Sequence, residues 1–138
     1  HRGCGRSRCV TQVSGQDGVK PMGRLGGAVE PGMFGLGPVP AVRQALERAG
    51  WKIGDVERFE INEAFAAAAL AVMQDLGIPH DIVNVEGNSI VHGPPHRAAG
   101  AIQTTRLLHS MQRDGLKRGV VTMCISGGQG TALCLETA

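Results

Sequence analysis

The stretch Phe59-Glu60-Ile61-Asn62-Glu63-Ala64-Phe65-Ala66 indicates a short strand that turns abruptly into a helix. The apolar residues before Asn62 favour a strand over residues 56–61. From Phe65 onward apolar residues recur at helical spacing, and Gly77 is placed to end the helix. Such a junction lies at the carboxyl end of a strand, where α/β folds usually place their sites. Asn62 is therefore predicted to be either a helix N-cap or a functional residue.

Length and composition indicate one domain or a piece of one. The chain has 138 residues, a hydrophobic content of 42% that is sufficient for a core, and 21 glycines that indicate tight turns. The formal charge of +2 is too small to predict a nucleic-acid partner, and no apolar run is long enough to predict a membrane span. The four cysteines lack metal-type pairing, which favours reduced thiols, no metal site and a cytoplasmic location.

Two further helices are predicted from periodicity. One covers residues 38–49 and ends at Gly50, with a buried stripe formed by Val39, Val42, Leu46 and Ala49. The other covers residues 98–113 and ends at Gly115, with one face formed by Ala101, Thr104, Leu108 and Met111. Both helices are expected to pack on a sheet, which predicts the α/β class.

The remaining segments are predicted to be irregular near the N-terminus and a β-hairpin near the C-terminus. Residues 1–20 have no periodicity and are expected to be irregular. Residues 21–37 are rich in glycine and proline and are expected to form a loop that feeds the first helix. Residues 120–125 and 131–135 are expected to form a β-hairpin around a glycine-rich turn.

Cys124 is a candidate for chemistry because it ends an apolar strand at the turn Ser126-Gly127-Gly128. Backbone N–H groups of such a turn can stabilise an oxyanion, and a thiol there can transfer a proton or attack a carbonyl. The alternative is a structural cysteine beside a tight turn, which is the commoner use of a single cysteine.

Three ordered motifs resemble the C-terminal domain of the thiolase family, the acetyl-CoA acetyltransferases and 3-ketoacyl-CoA thiolases. Asn62-Glu63-Ala64-Phe65 matches the family's Asn-Glu-Ala-Phe, and residues 124–130 match its Cys-x-Gly-Gly-Gly. Residues 84–100 match its loop Asn-Val-x-Gly-Gly-Ala-Ile-Ala-x-Gly-His-Pro-x-Gly-Ala-x-Gly. The resemblance covers about residues 18–136.

The resemblance implies a thiolase-like half, with a mixed sheet of the βαβαβαββ type and helices on both faces. In the complete family fold two such halves stack into αβαβα layers. The implied domain is residues 21–138, with the family's N-terminal half absent from this sequence. The implied substrates are coenzyme A and its acyl thioesters, with no other cofactor. The implied protein partner is the missing half or another copy in a homo-oligomer.

The resemblance also implies roles for individual residues in Claisen condensation or thiolysis of 3-ketoacyl-CoA. Asn62 would hold a water that, with a family histidine, polarises the thioester carbonyl, and Cys124 would be the acid/base for the α-proton. Ala64 and Phe65 would line the acyl pocket. The backbone N–H of Ser126, beside Gly127, would belong to the oxyanion hole of the acyl-enzyme.

The loop of residues 84–100 departs from the family pattern at its chemical centre. Pro94 occupies the position of the family histidine, and proline has neither an exchangeable proton nor a side-chain donor. Losing such a group typically costs ~10²–10⁴-fold in rate. His92 and His96 flank this position out of register, and His96 is the candidate replacement if the loop shifts.

Other departures replace small residues by larger ones. Asn88, Arg97 and Ser126 stand where the family pattern has glycine. A side chain at such a position is expected to strain the loop wherever the backbone needs a positive φ.

Three interpretations of the function are open from the sequence. The first is part of a thiolase-type acyltransferase, expected to be inactive alone because Cys4 and Cys9 lack the context of the family nucleophile. The second is a non-catalytic thiolase-like module that binds acyl-CoA or a partner chain. The third is a metal site formed by His92, His96 and Cys124.

Overall fold

The computed structural model describes residues 19–93 and 98–137, in which four strands form one mixed sheet. The strands are β1 Val19–Ala28, β2 Arg58–Ile61, β3 Arg118–Ile125 and β4 Gln129–Thr137. Their order across the sheet is β1-β4-β3-β2. β2 runs parallel to β3, whereas β4 is antiparallel to both of its neighbours. The predicted hairpin and the mixed α/β sheet are both confirmed.

In the described part of the chain, four α-helices accompany the sheet. They are α1 Pro38–Ala49, α2 Ala66–Leu76, the single turn α3 Ser89–His92, and α4 Ala99–Asp114. Short 3-10 helices cover Pro31–Leu36, Ile53–Asp55 and His80–Ile82. Each of the three long helices ends at a glycine in the left-handed conformation, as the sequence predicted: Gly50, Gly77 and Gly115.

Helices cover both faces of the sheet. α1 and α2 pack on one face, in a core that includes Val42, Phe59, Val72 and Val120. α4 packs on the other face in a smaller core formed by Leu107, Met111, Val121 and Leu135. Because neighbouring residues of a strand point to opposite faces, β3 is buried on both sides, as its continuous apolar run predicted.

The structure contradicts the loop predicted for residues 21–37. Residues 19–28 form β1, which pairs with β4 from Val19 opposite Thr137 to Ala28 opposite Gln129. β1 is an edge strand whose register shifts between Pro21 and Gly23. Edge strands and bulges are where a sheet tolerates proline and glycine, so a composition typical of a loop is compatible with this strand.

α4 buries a face different from the predicted one. Its buried side chains are Gln103, Leu107, Ser110 and Met111. Of the predicted face only Met111 is buried, whereas Ala101 is exposed and Thr104 and Leu108 are half-buried. Because half of the buried face is polar, the spacing of apolar residues alone could not locate it.

The start of α1 approaches β4 by direct backbone contact. A Cβ on Gly130 would overlap the carbonyl group of Gly37, and a Cβ on Gly37 would overlap the carbonyl group of Gln129. Gly130 is also the cross-strand partner of Cys124. These glycines therefore bring α1 against the strand that pairs with the candidate thiol.

We expect Gly130→Ala to lower the free energy of unfolding by about 1–3 kcal/mol, because the added methyl group must displace the backbone at Gly37. Gly26→Ala is the matched control, since a Cβ there would meet the Gly130 carbonyl oxygen at an ordinary 3.5 Å. Urea unfolding of both variants measures the difference. Equal unfolding midpoints would contradict the importance of the close approach.

Candidate functional site

The candidate site lies where the parallel strands β2 and β3 end. Asn62 follows the last residue of β2, and its backbone N–H donates to the carbonyl oxygen of Thr122 at 2.9 Å. β3 continues past Thr122 through Cys124 to Ile125. Two residues of strand span roughly 7 Å, so Cys124 lies about that far along β3 beyond this hydrogen bond. Asn62 and Cys124 therefore lie at one edge of the sheet.

Asn62 is not the N-cap of α2, so that alternative is wrong. The helix begins at Ala66, and its N-cap residue is Phe65, whose side chain makes no capping hydrogen bond. The Asn62 side chain instead accepts two hydrogen bonds on Oδ1, from Ser89 Oγ at 2.9 Å and from Gln103 Nε2 at 2.7 Å. Among residues 19–93 and 98–137, Nδ2 has no acceptor. This N–H₂ group can therefore donate to a ligand.

A row of polar contacts joins β2 to α4 and to the N-cap of α3, and we call it the polar seam. Arg58 donates to Ser110 Oγ and pairs with Asp114 at 3.1 Å. Two residues further along β2, Glu60 is 2% exposed and accepts a hydrogen bond from Asn88 Nδ2 at 2.9 Å. The Asn62 contact with Gln103 completes the row. Alternate residues of a strand share a face, so the seam ends at the candidate site.

Asn84 closes the open edge of β2. Its side chain accepts from the Ile61 N–H at 2.8 Å and donates to the Ile61 carbonyl at 2.9 Å, as a neighbouring strand would do. It also donates to Glu63 Oε1 at 3.0 Å. Asn84 has a φ of 48°, a conformation that asparagine tolerates better than most residues. The loop of residues 84–93 is therefore joined to the end of β2 by side-chain hydrogen bonds.

The strain expected at two replaced glycines is not found. Asn88 has a φ of −141°, and its side chain accepts a hydrogen bond from the Ser89 N–H at 2.7 Å. Ser126 is absent from the described residues with positive φ, whereas Gly127 and Gly128 next to it have φ of 79° and 78°. Both replacements occupy backbone that any residue can adopt.

Burial raises the pKa of Glu60 to about 7, although Arg106 and the hydrogen bond from Asn88 act in the opposite direction. In the folded chain the carboxyl group therefore takes up a proton at a higher pH than in the unfolded chain, where its value is 4.5. This shift places a protonation change in the polar seam near neutral pH.

We expect the free energy of unfolding to fall as pH rises from 4.5 through 7, because the folded chain binds more protons in this range. The contribution of Glu60 is fully present below pH 4.5 and is lost above pH 7, on the order of 3 kcal/mol. Glu60→Gln should flatten this slope in urea unfolding measured from pH 4.5 to 8. Glu47→Gln on the exposed face of α1 controls for the loss of one carboxyl group. An unchanged slope in Glu60→Gln would refute the assignment.

Cys124 is half-buried, and desolvation raises its pKa, so the protonated thiol is favoured near neutral pH. A backbone hydrogen bond acts in the opposite direction, and no charged side chain of the described residues contributes. Cys134 lies fully buried in β4, and burial raises its pKa to about 12. Cys124 is therefore a half-buried thiol whose pKa shift has no contribution from a charged side chain of the described residues.

The other predicted site residues lie at exposed positions. Ser126 and Gly127 form the exposed tip of the β3–β4 loop. Ala64 and Phe65 are exposed, and the Phe65 ring packs edge-to-face on Phe34 with centroids 6.0 Å apart. An apolar groove of about 400 Å³ beside these rings is lined by Met33, Phe34, Leu36, Phe65, Ala68 and Ala71.

Several sequence predictions concern residues outside the described ranges. Pro94, His96 and Arg97 lie there, as do Cys4 and Cys9. His92 is described, and its Nε2 donates to the carbonyl oxygen of Glu86 at 3.0 Å rather than to the Asn62 side chain. In the described part of the chain, no three His, Cys, Asp or Glu side chains are grouped to hold a metal ion.

The residues that sequence analysis missed are Ser89, Gln103 and Glu60. Ser89 stands where the family loop has alanine, and this added hydroxyl group is a signal visible in the sequence. Glu60 lies between the apolar residues Phe59 and Ile61, and charged residues are rarely buried unless paired. Gln103 has no comparable signal, because its partners come from distant positions in the chain.

The mixed sheet with helices on both faces defines an α/β domain, and the carboxyl ends of parallel strands are where such domains usually place their sites. The chain belongs to the thiolase family, because residues 20–137 match the model of the thiolase C-terminal domain.

Similar proteins support the membership of the thiolase family. The chain is 50% identical over 124 residues to the acetyl-CoA acetyltransferase of Shinella zoogloeoides, covering 87% of this chain and 32% of the relative. It is 43% identical over 122 residues to the cytosolic acetyl-CoA acetyltransferase of Mus musculus, covering 86% of this chain and 31% of the relative. The chain therefore spans about a third of the length of these curated relatives.

Solved structures show the same fold. The acetyl-CoA acetyltransferase of Bacillus anthracis superposes with a TM-score of 0.85 at 39% identity, covering 87% of this chain and 30% of that structure. Human mitochondrial 3-ketoacyl-CoA thiolase superposes with a TM-score of 0.85 at 37% identity and the same coverage. No helix among the described residues is long and apolar enough to span a membrane.

Proposed function

We propose that this chain is the C-terminal part of a thiolase-type acyltransferase, which transfers acyl groups between CoA thioesters by Claisen chemistry. The observation that carries the proposal is the hydrogen bond from the Asn62 N–H to Thr122, which joins the ends of β2 and β3. This bond supports a site in which the Asn62 donor and the Cys124 thiol would act on one thioester.

Asn62 would polarise the thioester carbonyl, either directly or through a water. Its Oδ1 is occupied by two donors, so Nδ2 is the atom that can donate toward the open edge. A donor held in place before the reaction stabilises the negative charge that develops on the carbonyl oxygen.

Cys124 would exchange the α-proton of the substrate. In thiolysis, cleavage of the carbon–carbon bond leaves an acetyl-CoA carbanion, which takes the proton from the thiol and leaves a thiolate. In condensation, the thiolate removes an α-proton and becomes a thiol. The raised pKa of Cys124 favours the thiol, which is the form required for thiolysis.

Substrate contacts are proposed for four exposed residues. Ala64 and Phe65 would line the acyl pocket, and the apolar groove beside Phe65 supports this role. The backbone N–H groups of Ser126 and Gly127 would contribute to the oxyanion hole of the acyl-enzyme, which their exposed position at the loop tip supports.

A chimera tests the proposal. Residues 20–137 would replace the matching segment of the Shinella zoogloeoides relative, and thiolysis of acetoacetyl-CoA by CoA would be measured. We expect thiolysis by the chimera after restoration of the family histidine at Pro94, and none by the isolated chain. A folded chimera that stays inactive with this histidine would refute the function.

The assembly and location are also proposals. We expect acyl-CoA as the small-molecule partner and either a homo-oligomer or an N-terminal half as the protein partner. The cytoplasm remains the predicted location, and the relatives include one named cytosolic and one named mitochondrial.

The second candidate function is a non-catalytic module that binds acyl-CoA or a partner chain. Pro94 in place of the family histidine favours it, as does the exposure of 63% at Phe65 beside an apolar groove. Calorimetric titration of the isolated chain with acetyl-CoA and acetoacetyl-CoA separates the two functions. Binding with no activity in the histidine-restored chimera supports the module, whereas activity there excludes it.

A further inference from the structure

We propose that Gln103 and Ser89 are positioning residues that orient the side-chain amide of Asn62, so that its Nδ2 faces the open edge of the site. The inference rests on the role proposed above for Asn62 and adds the groups that make this role possible. The three motifs do not account for either residue, because Ser89 replaces an alanine of the family loop and Gln103 lies between residues 84–100 and residues 124–130.

Gln103 lies on the buried face of α4 and is 3% exposed. Its Nε2 donates to Asn62 Oδ1 at 2.7 Å and to Asn88 Oδ1 at 3.2 Å. One amide group thus bridges the end of β2 and the N-cap of α3. Ser89 Oγ lies 2.9 Å from Asn62 Oδ1 and 3.1 Å from Asn88 Oδ1, and its single proton has the nearer acceptor in Asn62.

The orientation of these amides begins at a backbone group that cannot reverse. The Ser89 N–H donates to Asn88 Oδ1 at 2.7 Å, so Asn88 must present its oxygen there. Its Nδ2 then faces Glu60 Oε2 at 2.9 Å, and this oxygen accepts the hydrogen bond. The Ser89 N–H therefore fixes the orientation of Asn88, which is 1% exposed.

The orientation of the Gln103 amide is set by its hydrogen bond to Asn88. Its Nε2 faces the Asn88 oxygen, and a reversed Gln103 amide would bring two oxygens together. The same Nε2 faces Asn62, so a reversed Asn62 amide would oppose two donors. The Ser89 N–H thus fixes the Asn88 amide, Asn88 fixes the Gln103 amide, and Gln103 fixes the Asn62 amide.

One buried acceptor stays unpaired in this orientation. Gln103 Oε1 is buried and has no hydrogen-bond donor among the described residues. Leaving such an acceptor unpaired is unfavourable, yet reversing the amide would lose both Nε2 contacts. A cavity of about 140 Å³ beside Gln103 is lined by Ser89, Gly93, Ile102 and Arg106 and is large enough to admit water.

The side-chain amide of Asn62 is the direct probe, and nuclear magnetic resonance of the ¹⁵N-labelled full chain needs no catalysis. The Asn62 Nδ2 resonances are assigned by their loss in Asn62→Ala. Gln103→Met keeps the volume of the side chain but removes the donor, and Ser89→Ala removes the other donor. We expect a shift of the Asn62 Nδ2 resonances in each variant and a larger shift when both are combined.

The controls separate orientation from folding. Thr105→Ala, at an exposed position of α4, should leave the Asn62 resonances in place. The methyl resonances of Leu107 and Val121 report whether α4 still packs on the sheet. If Gln103→Met fails to fold, Ser89→Ala decides. Unmoved Asn62 resonances in the folded variants would overturn the proposal.

A second arm relates the inference to catalysis. In the histidine-restored chimera, Gln103→Met is expected to lower kcat ~10–100-fold with little change in KM, because a misplaced donor weakens transition-state stabilisation more than binding. Shifted resonances with an inactive parent chimera would retain the positioning role and refute the proposed function. Unmoved resonances with an active parent chimera would refute the positioning role and retain the proposed function.

Discussion

Replacing Pro94 with histidine is expected to raise thiolysis by the chimera ~10²–10⁴-fold, which is the typical contribution of a general base or an oxyanion donor. The family histidine belongs at this position, and proline supplies neither a donor nor an exchangeable proton. No charged side chain of the described residues contributes to the pKa shift of Cys124, so a histidine at position 94 is expected to add a base that the shift does not reveal. Steady-state thiolysis of acetoacetyl-CoA measures the gain.

Pro95→His is the matched control, because it adds the same imidazole one residue away while the family pattern has proline there. A gain confined to Pro94→His supports a specific catalytic role for the imidazole. Equal gains in both variants would show a general effect of an added base, and no gain in either would contradict the prediction.

In the histidine-restored chimera, we expect Cys124→Ala to lower kcat ~10²–10⁴-fold, because the α-proton loses its acid and base. Cys124→Ser keeps a hydroxyl of similar size, but its proton is far harder to remove, so we expect a similar loss. The transfer of the α-proton is measured independently by exchange of deuterium from solvent into acetyl-CoA. Both kcat and this exchange should fall together.

Cys134→Ala is the matched control, since Cys134 belongs to the same hairpin but is fully buried on the α1 and α2 side. This variant should lose some stability while keeping deuterium exchange. Iodoacetamide provides a further comparison, because half-buried Cys124 should react before Cys134. Deuterium exchange that persists in Cys124→Ala would contradict the proposed role of the thiol.

Much of the fold follows from local signals. The three glycines that end the long helices each adopt the left-handed conformation, and the apolar run in β3 is buried on both faces. These features depend on short stretches of chain. The edge strand β1 was missed because Pro21 and the neighbouring glycines are unfavourable in the interior of a sheet, although an edge accepts them.

The orientation of the site could not be predicted from the sequence. The motifs predict that Asn62 and Cys124 serve one site, and the parallel pairing of β2 with β3 means that both residues lie near the carboxyl ends of these strands. The direction of the Asn62 amide, however, depends on Gln103, which is 41 residues away and lies on a helix face that the apolar pattern did not identify. Polar contacts between distant elements have no period along a chain.

The polar seam has a consequence for protein engineering and for divergence within the family. Asn88, Ser89 and Gln103 are joined by hydrogen bonds, so we expect that changing one of them alone leaves a buried polar atom without its partner. Segments exchanged between such enzymes should therefore carry the loop and the helix as one cassette. A crossover between residues 93 and 99 would divide that cassette, whereas one after residue 115 would keep it intact.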